Sequence, residues 1–311
     1  MCIFGLSLTS SIDCIMKPIR VLLCTLLPML LVACEKLTLP KEDMPPQPQS
    51  NLTLSVFQLE QTPFAASTRA TASDVCTRVN FGIYDMNGTR LKQTNQKLGD
   101  EDFGTASFQL PEGTYQLVVV AHSSNGNPTM TDPAKIQFSN ITEKGNGTGY
   151  SDTFLYNTMI KIGSEPQTMS LTLHRIVALC RFVIEDKIPE GVAKLRFQYK
   201  GGSGHFNAST GLGVTKSTQT IFFPVDDSSQ KQFDLYTFLH DTEGSIHLLV
   251  TAYDAADNLI CEREFDIPLQ QNRITWFSGT FFTGKTPVAS QQFTSTLSID
   301  EKWKGEIRMT Y

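Results

Sequence analysis

From Asn51 onward, apolar and polar positions alternate with a period of two in short runs, each closed by turn residues. Leu52, Leu54 and Val56, extended to Gln58, share one face of a first strand. Val79, Phe81 and Ile83 alternate next, and Asp85-Met86-Asn87-Gly88 supplies a turn whose Asn-Gly accepts positive φ. Ala106, Phe108 and Leu110 run into Pro111-Glu112-Gly113, and Tyr115, Leu117, Val119 and Ala121 follow. That unit reads as a hairpin whose second arm, nearly continuous in apolar residues, is an inner strand. Phe154 to Ile162 and Met169 to Leu173 continue the series. No stretch sustains the period of an amphipathic helix, and residues 140–156 leave room for a short helix at most.

A second series starts at His174. Ile176, Ala178, Cys180, Phe182 and Ile184 fall on one face, with Arg175, Arg181 and Glu185 on the other. Further strands are expected over 194–199, 218–223, 232–239, 245–253, 259–267 and 273–282. In the run from Leu259, the inward positions are Leu259, Cys261, Phe265 and Ile267, with Arg263 as the exception. Two sets of about seven short strands, split near residues 170–176, make an all-β chain of two β-sandwich domains in tandem.

Upstream the pattern is different. Met16, Lys17 and Arg20 form a small positive flank before the apolar run Val21 to Val32, which ends at Leu31-Val32-Ala33-Cys34. The run is too short for a spanning helix, which needs about 20 apolar residues, and has the proportions of a secretory signal. Leu-Val-Ala-Cys resembles a bacterial lipobox, after which Cys34 becomes the first, acylated residue and everything beyond it lies outside the cytoplasm. Residues 1–15 carry neither Lys nor Arg, which points to Met16 as the true start. Glu35 to Ser50 holds Pro40, Pro45, Pro46 and Pro48, a composition that stays extended and packs no core. The expected organisation is a signal over 1–33, a lipidated cysteine and tether over 34–50, and sandwiches over 51–172 and 173–311.

Composition narrows the function by exclusion. The net charge of -5 gives no clustered basic face, so no nucleic-acid partner is expected. Cys76, Cys180 and Cys261 remain once Cys34 is acylated, an odd set without Cys-x-x-Cys spacing. Cys180 and Cys261 take inward positions and could meet inside one sandwich, which leaves a disulfide open. The histidines at 122, 174, 205, 240 and 247 form no ligand pair, and His174 reads as satisfied and partly buried. Gly145 to Gly149 and Lys200-Gly-Gly-Ser-Gly204 read as hairpin loops, lacking the strand-to-helix setting of a phosphate loop. Asp226-Asp227 leaves a calcium site open, while Glu262 and Glu264 read as solvated. The sequons at Asn51, Asn87, Asn140, Asn146 and Asn207 fit surface loops. No catalytic constellation emerges, so neither an enzyme nor a cofactor is expected.

The segment Leu171-Thr-Leu-His-Arg-Ile-Val-Ala-Leu-Cys-Arg-Phe-Val-Ile184 is similar to the domain-joining segment of Bacteroidales fimbrial lipoproteins, where a Leu-x-Arg-x-x-Ala core precedes an alternating strand. Asn272-Arg-Ile-Thr-Trp-Phe-Ser-Gly-Thr-Phe-Phe282 resembles their late C-terminal strand, and Leu297 to Ile307 their terminal hairpin. The likeness is to the FimB-type anchor family of type V fimbriae, with stalk fimbrillins as neighbours. It implies two transthyretin-like sandwiches, attachment to the outer membrane through lipid on Cys34, and a first subunit that holds the fibre and limits its length. The implied partner is a stalk subunit joined by β-strand donation. Stalk subunits free their groove by cleavage after an arginine, and Arg69, within Ala-Ala-Ser-Thr-Arg-Ala-Thr-Ala, is the candidate position, although an anchor must keep its first strand attached to the lipid. The alternatives are a stalk or accessory subunit and, from a different class, a surface glycan-binding lipoprotein. The last would need exposed aromatics; Trp276 reads as core and Trp303, beside Gly305, as the exposed tryptophan.

Overall fold

Strand β1 (Leu52–Glu60) opens the body of the computed structural model, which describes residues 50–60, 72–138, 150–225, 231–283, 296–298 and 306–311. A single turn of helix, α1 (Ala72–Val75), comes next. The first half then contributes β2 (Arg78–Tyr84), β3 (Arg90–Lys97), β4 (Thr105–Phe108), β5 (Gly113–His122), β6 (Ile136–Gln137), β7 (Thr153–Ile162) and β8 (Gln167–Arg175). All but β6 belong to a seven-stranded sheet in the order β3-β2-β5-β7-β8-β1-β4. β7 and β8 pair only at Phe154↔Arg175 and Leu155↔His174. The sheet folds over at that corner, so that β3-β2-β5-β7 and β8-β1-β4 enclose one core. Leu52, Leu54 and Leu59 meet Phe81, Leu117, Val119, Phe154, Leu171 and Leu173 there.

The second half holds β9 (Ala178–Ile184), β10 (Lys194–Lys200), β11 (His205–Phe206), β12 (Gln219–Pro224), β13 (Gln232–Thr237), β14 (Glu243–Tyr253), β15 (Leu259–Gln270), β16 (Ile274–Gly279), β17 (Thr296–Ser298) and β18 (Glu306–Thr310). Two sheets, β12-β10-β14-β15 and β13-β9-β16-β18-β17, supply its core. Phe182 sits at the centre, with the rings of Phe197, Phe265, Phe277 and Phe281 around it. Tyr311 stacks on Phe182 at 5.0 Å and on Phe277 at 4.8 Å, so the residue after β18 closes this core.

The two halves share a third cluster, and Ser50–Tyr311 forms one compact unit. Tyr84, Val118, Val120 and Leu155, on the outer side of the first sheet, pack with Leu179, Phe206, Phe238 and Ile274. The rings of Phe138, Phe206 and Phe238 lie 4.9–6.3 Å apart, and β6 pairs with β11 across the same join.

The all-β expectation holds, and most alternating faces point as read, but several details differ for reasons outside local periodicity. A register shift between Val56 and Gln58 turns Leu59 inward in place of Gln58. Pro111-Glu112-Gly113 makes no hairpin: β4 pairs with β1 while β5 pairs with β2 and β7, so the turn crosses between layers, with Tyr115 Oη donating to Pro111 O at 2.9 Å. The 200–204 loop is not a hairpin either. It carries the chain from β10 to β11, and a Cβ on Gly202 would lie 1.8 Å from Thr237 Oγ1. A shift between Ala252 and Tyr253 leaves Leu259 59 % exposed while Arg263 turns inward over Phe265 and Tyr311. His174 is exposed rather than partly buried. Cys76, Cys180 and Cys261 are free thiols, so Cys180 and Cys261 form no bridge.

Candidate functional site

Polar groups converge where the chain enters the body, just before β1. Asn51 N–H donates to Phe108 O at 3.0 Å, and Asn51 O accepts from Gln167 N–H at 2.9 Å. Its side chain donates from Nδ2 to Leu110 O at 2.7 Å and accepts at Oδ1 from Leu110 N–H at 3.0 Å. Asn51 therefore fastens to both neighbouring strands before β1 begins. Both ends of this amide are engaged with Leu110, so the residue of this sequon sits at a strand entry rather than in a free surface loop.

β1 is an inner strand. It pairs in parallel with β8 from Leu52↔Gln167 to Glu60↔His174, and antiparallel with β4 from Leu52↔Phe108 to Ser55↔Thr105. Leu52, Leu54 and Leu59 are 0 % exposed and Val56 is 9 % exposed. Burying four such side chains contributes on the order of 6–12 kcal/mol, comparable with the whole stability of a domain. The body cannot dispense with this strand.

At the far end of β8 lies the Leu-x-Arg-x-x-Ala core: Leu173 and Ala178 are fully buried, and Arg175 is buried between them in sequence. The Arg175 guanidinium grips Asp152 with two bonds, Nε–Oδ1 at 2.6 Å and Nη2–Oδ2 at 2.7 Å. It also donates to Asn272 Oδ1 at 3.3 Å and lies 4.7 Å over the Phe154 ring. Asn272, at φ 57°, sits in the turn between β15 and β16, so one side chain ties the first sheet to the second half. Alternation placed Arg175 opposite the core face of β9. The chain instead breaks at 176–177, and Arg175 ends β8. Its place in the motif was the available signal; nothing local marked Asp152 or Asn272.

The remaining candidates show structural chemistry. His122 is buried and pushed down to about 3 by burial, reinforced by Arg78. It stays neutral, Nε2–H donating to Asn80 Oδ1 at 2.9 Å while Nδ1 accepts from Ser124 N–H at 3.1 Å. Burial pushes the Cys76, Cys180 and Cys261 thiols up, away from the thiolate form. Trp276 is half-buried, not core: Arg181 and Arg308, from the strands on either side, each lie 4.8 Å from its ring. Those guanidiniums are engaged by Asp234 and Glu306, so two paired cations crowd the indole where a sugar ring would have to stack. Among the described residues no cluster of three or more His, Cys, Asp or Glu is placed to hold a metal, and no helix is long and apolar enough to cross a membrane. Residues 1–33, Cys34, Arg69, Asn140, Gly145 to Gly149, Asp226-Asp227 and Trp303 lie outside the described residues.

Residues 46–311 match the profile of a family of unknown function, DUF6562. The chain belongs to DUF6562. The matched stretch begins inside the proline-rich segment and takes in every described strand of this DUF6562 chain. No curated protein matches it in sequence. Among solved structures it is similar to a Bacteroides ovatus protein proposed to be an adhesin, at 17% identity and a TM-score of 0.47, over 70% of this chain and 83% of that one. It is similar to the fimbrial anchor protein Mfa2 from Porphyromonas gingivalis at 12% identity and a TM-score of 0.43, over 68% and 80% of the two chains. A fimbrial assembly protein from Parabacteroides distasonis aligns at 12% identity and a TM-score of 0.40, over 82% and 97%.

Proposed function

We propose that this DUF6562 chain is a cell-surface lipoprotein of a fimbrium, the FimB-type subunit that anchors the fibre to the outer membrane through lipid on Cys34 and limits its length. One observation carries the reading: the strand that follows the tether is an inner strand of the body, fastened at Asn51 and flanked by β8 and β4. A lipid on Cys34, 18 positions (52 − 34) upstream of such a strand across a stretch of proline-rich composition, would hold the whole body at the membrane. In this reading residues 51–172 and 173–311 are tandem transthyretin-like sandwiches, and the partner is a stalk subunit joined by strand donation. Neither catalysis nor a cofactor enters it.

Cleavage after Arg69 would cut the chain between β1 and α1 and leave the lipid joined to the body only through strand pairing, so an anchor keeps that bond intact. The test is Cys34→Ala in cells. The expected result is release of both protein and fibres into the medium; fibres that stay on the cells would overturn the reading. Mass spectrometry of assembled fimbriae should find full-length lipidated chain at the base. A chain beginning at Ala70 along the fibre would make it a stalk or accessory subunit instead.

A further inference from the structure

A pull between membrane and fibre reaches the body at Asn51 and passes on through the second half, so the orientation of the strands at Asn51 decides how the pull is resisted. We infer that β1 and β8 form a shear clamp. The two strands run parallel, with Leu52 beside Gln167 at one end and Glu60 beside His174 at the other. The chain enters β1 at the first end and leaves β8 at the second, where Arg175 leads into β9. Tension drawn through these two points slides one strand along the other. Every paired position between them is then strained at once. Were β8 antiparallel to β1, its exit would lie beside Asn51, and the same tension would open the pairs one at a time.

Three further features serve the same end. The bond from Gln167 N–H to Asn51 O closes the first rung of that ladder, where peeling would begin, while the Asn51 side chain ties the same residue to Leu110 on the β4 side. The register shift at Val56/Gln58 pins the alignment, and the buried Leu52, Leu54 and Leu59 must leave the core for the strand to slide. Arg175 secures the exit of β8 to Asp152 and to Asn272 of the second half, so the load leaves β8 through side chains as well as the backbone.

The biological use of the clamp rests on the anchor reading; its mechanics rest on the pairing alone. The test is single-molecule force spectroscopy on the mature chain without its lipid, with clickable residues in place of Ser50 and of either His174 or Glu165, all exposed. The first pair loads opposite ends of the β1–β8 ladder and the second loads the same end. At one pulling speed, the Ser50–His174 pair should rupture at about twice the force of the Ser50–Glu165 pair or more, because backbone bonds that yield together resist more than bonds that yield singly. Equal forces, or a stronger Ser50–Glu165 geometry, would overturn the clamp. The measurement uses isolated protein, so its failure leaves the Cys34→Ala experiment untouched, and retention of fibres by Cys34→Ala cells would leave the clamp standing.

Discussion

Replacing Arg175 by methionine asks whether the buried pair at the end of β8 is a closed unit. The change deletes the bonds to Asp152 at 2.6 and 2.7 Å, the 3.3 Å bond to Asn272 and the cation 4.7 Å over Phe154. Breaking one side of a buried ion pair costs about 3–5 kcal/mol when the surviving charge stays dry. The Asp152 side chain is 19% exposed against 2% for Arg175, so the carboxylate recovers part of its hydration. That places the cost at the low end, about 3 kcal/mol, with the methionine stem still covering Phe154. At about 2–4 °C per kcal/mol for a body of this size, the melting midpoint should fall by about 6–12 °C. Asp152→Asn alone leaves the Arg175 charge buried without its carboxylate and should also cost about 3 kcal/mol, whereas the double variant should return to within about 1 kcal/mol of the parent, a coupling of about 5 kcal/mol. Urea unfolding at neutral pH, followed by far-UV circular dichroism and tryptophan fluorescence, measures all four corners of the cycle. Arg181→Met is the control. Its pair with Asp234 is 21% and 28% exposed, so its loss should cost about 1 kcal/mol or less. A single-variant cost below about 1 kcal/mol, or single costs that add without coupling, would refute the reasoning.

Other residues give expectations of the same kind. Asn51→Ala removes both side-chain bonds to Leu110 and should cost about 1–2 kcal/mol in urea unfolding, whereas Asn51→Asp, which sets a carboxylate oxygen against Leu110 O, should cost at least as much; an Asn51→Ala variant as stable as the parent would mean the fastening is incidental. Gly202→Ala drives a methyl group into Thr237 and should cost about 1–3 kcal/mol, with Thr237→Ala restoring most of it in the double variant. His122 binds its proton at about 3 in the fold and near 6.5 when unfolded, so its contribution is complete above pH 6.5 and is lost as pH falls toward 3. The slope should be on the order of 1 kcal/mol per pH unit across that window. His122→Gln should flatten it in urea titrations, and an unchanged slope would place the proton uptake elsewhere.

Where the sequence was legible, the reason was local. Val79, Phe81 and Ile83 point into the core because a strand has a period of two, and Asp85 to Gly88 turns because Gly88 adopts φ 80°. Pairing is not local. Nothing in Leu52 to Glu60 says that its neighbour is Gln167 to Arg175, or that the neighbour runs parallel. The reading as one face stopped at Gln58 because a bulge depends on the partner strand, not on the strand itself. The same limit explains Leu259 and the crossing turn at Pro111. Arg175 was misplaced for a related reason. An arginine among apolar residues reads as the solvent face until its carboxylate, Asp152, is known to stand beside it. Of the candidate site, nothing local marked the fastening at Asn51, whose partner Leu110 lies 59 positions along the chain.

The position of β1 also sets the order in which the molecule can be made. This strand is synthesised before the rest of the body, yet its long partner β8 follows only after β2 to β7 have emerged. Until then Leu52, Leu54, Val56 and Leu59 have no cover on the β8 side, and β4 pairs with only the first part of the strand, from Leu52 to Ser55. Such a late, distant pairing slows folding and lengthens the time an apolar strand lies open to other chains. The gap between emergence of β1 and arrival of β8 is therefore the interval in which this protein most needs a chaperone, and the strand that secures the finished molecule is the one most exposed while it is being built.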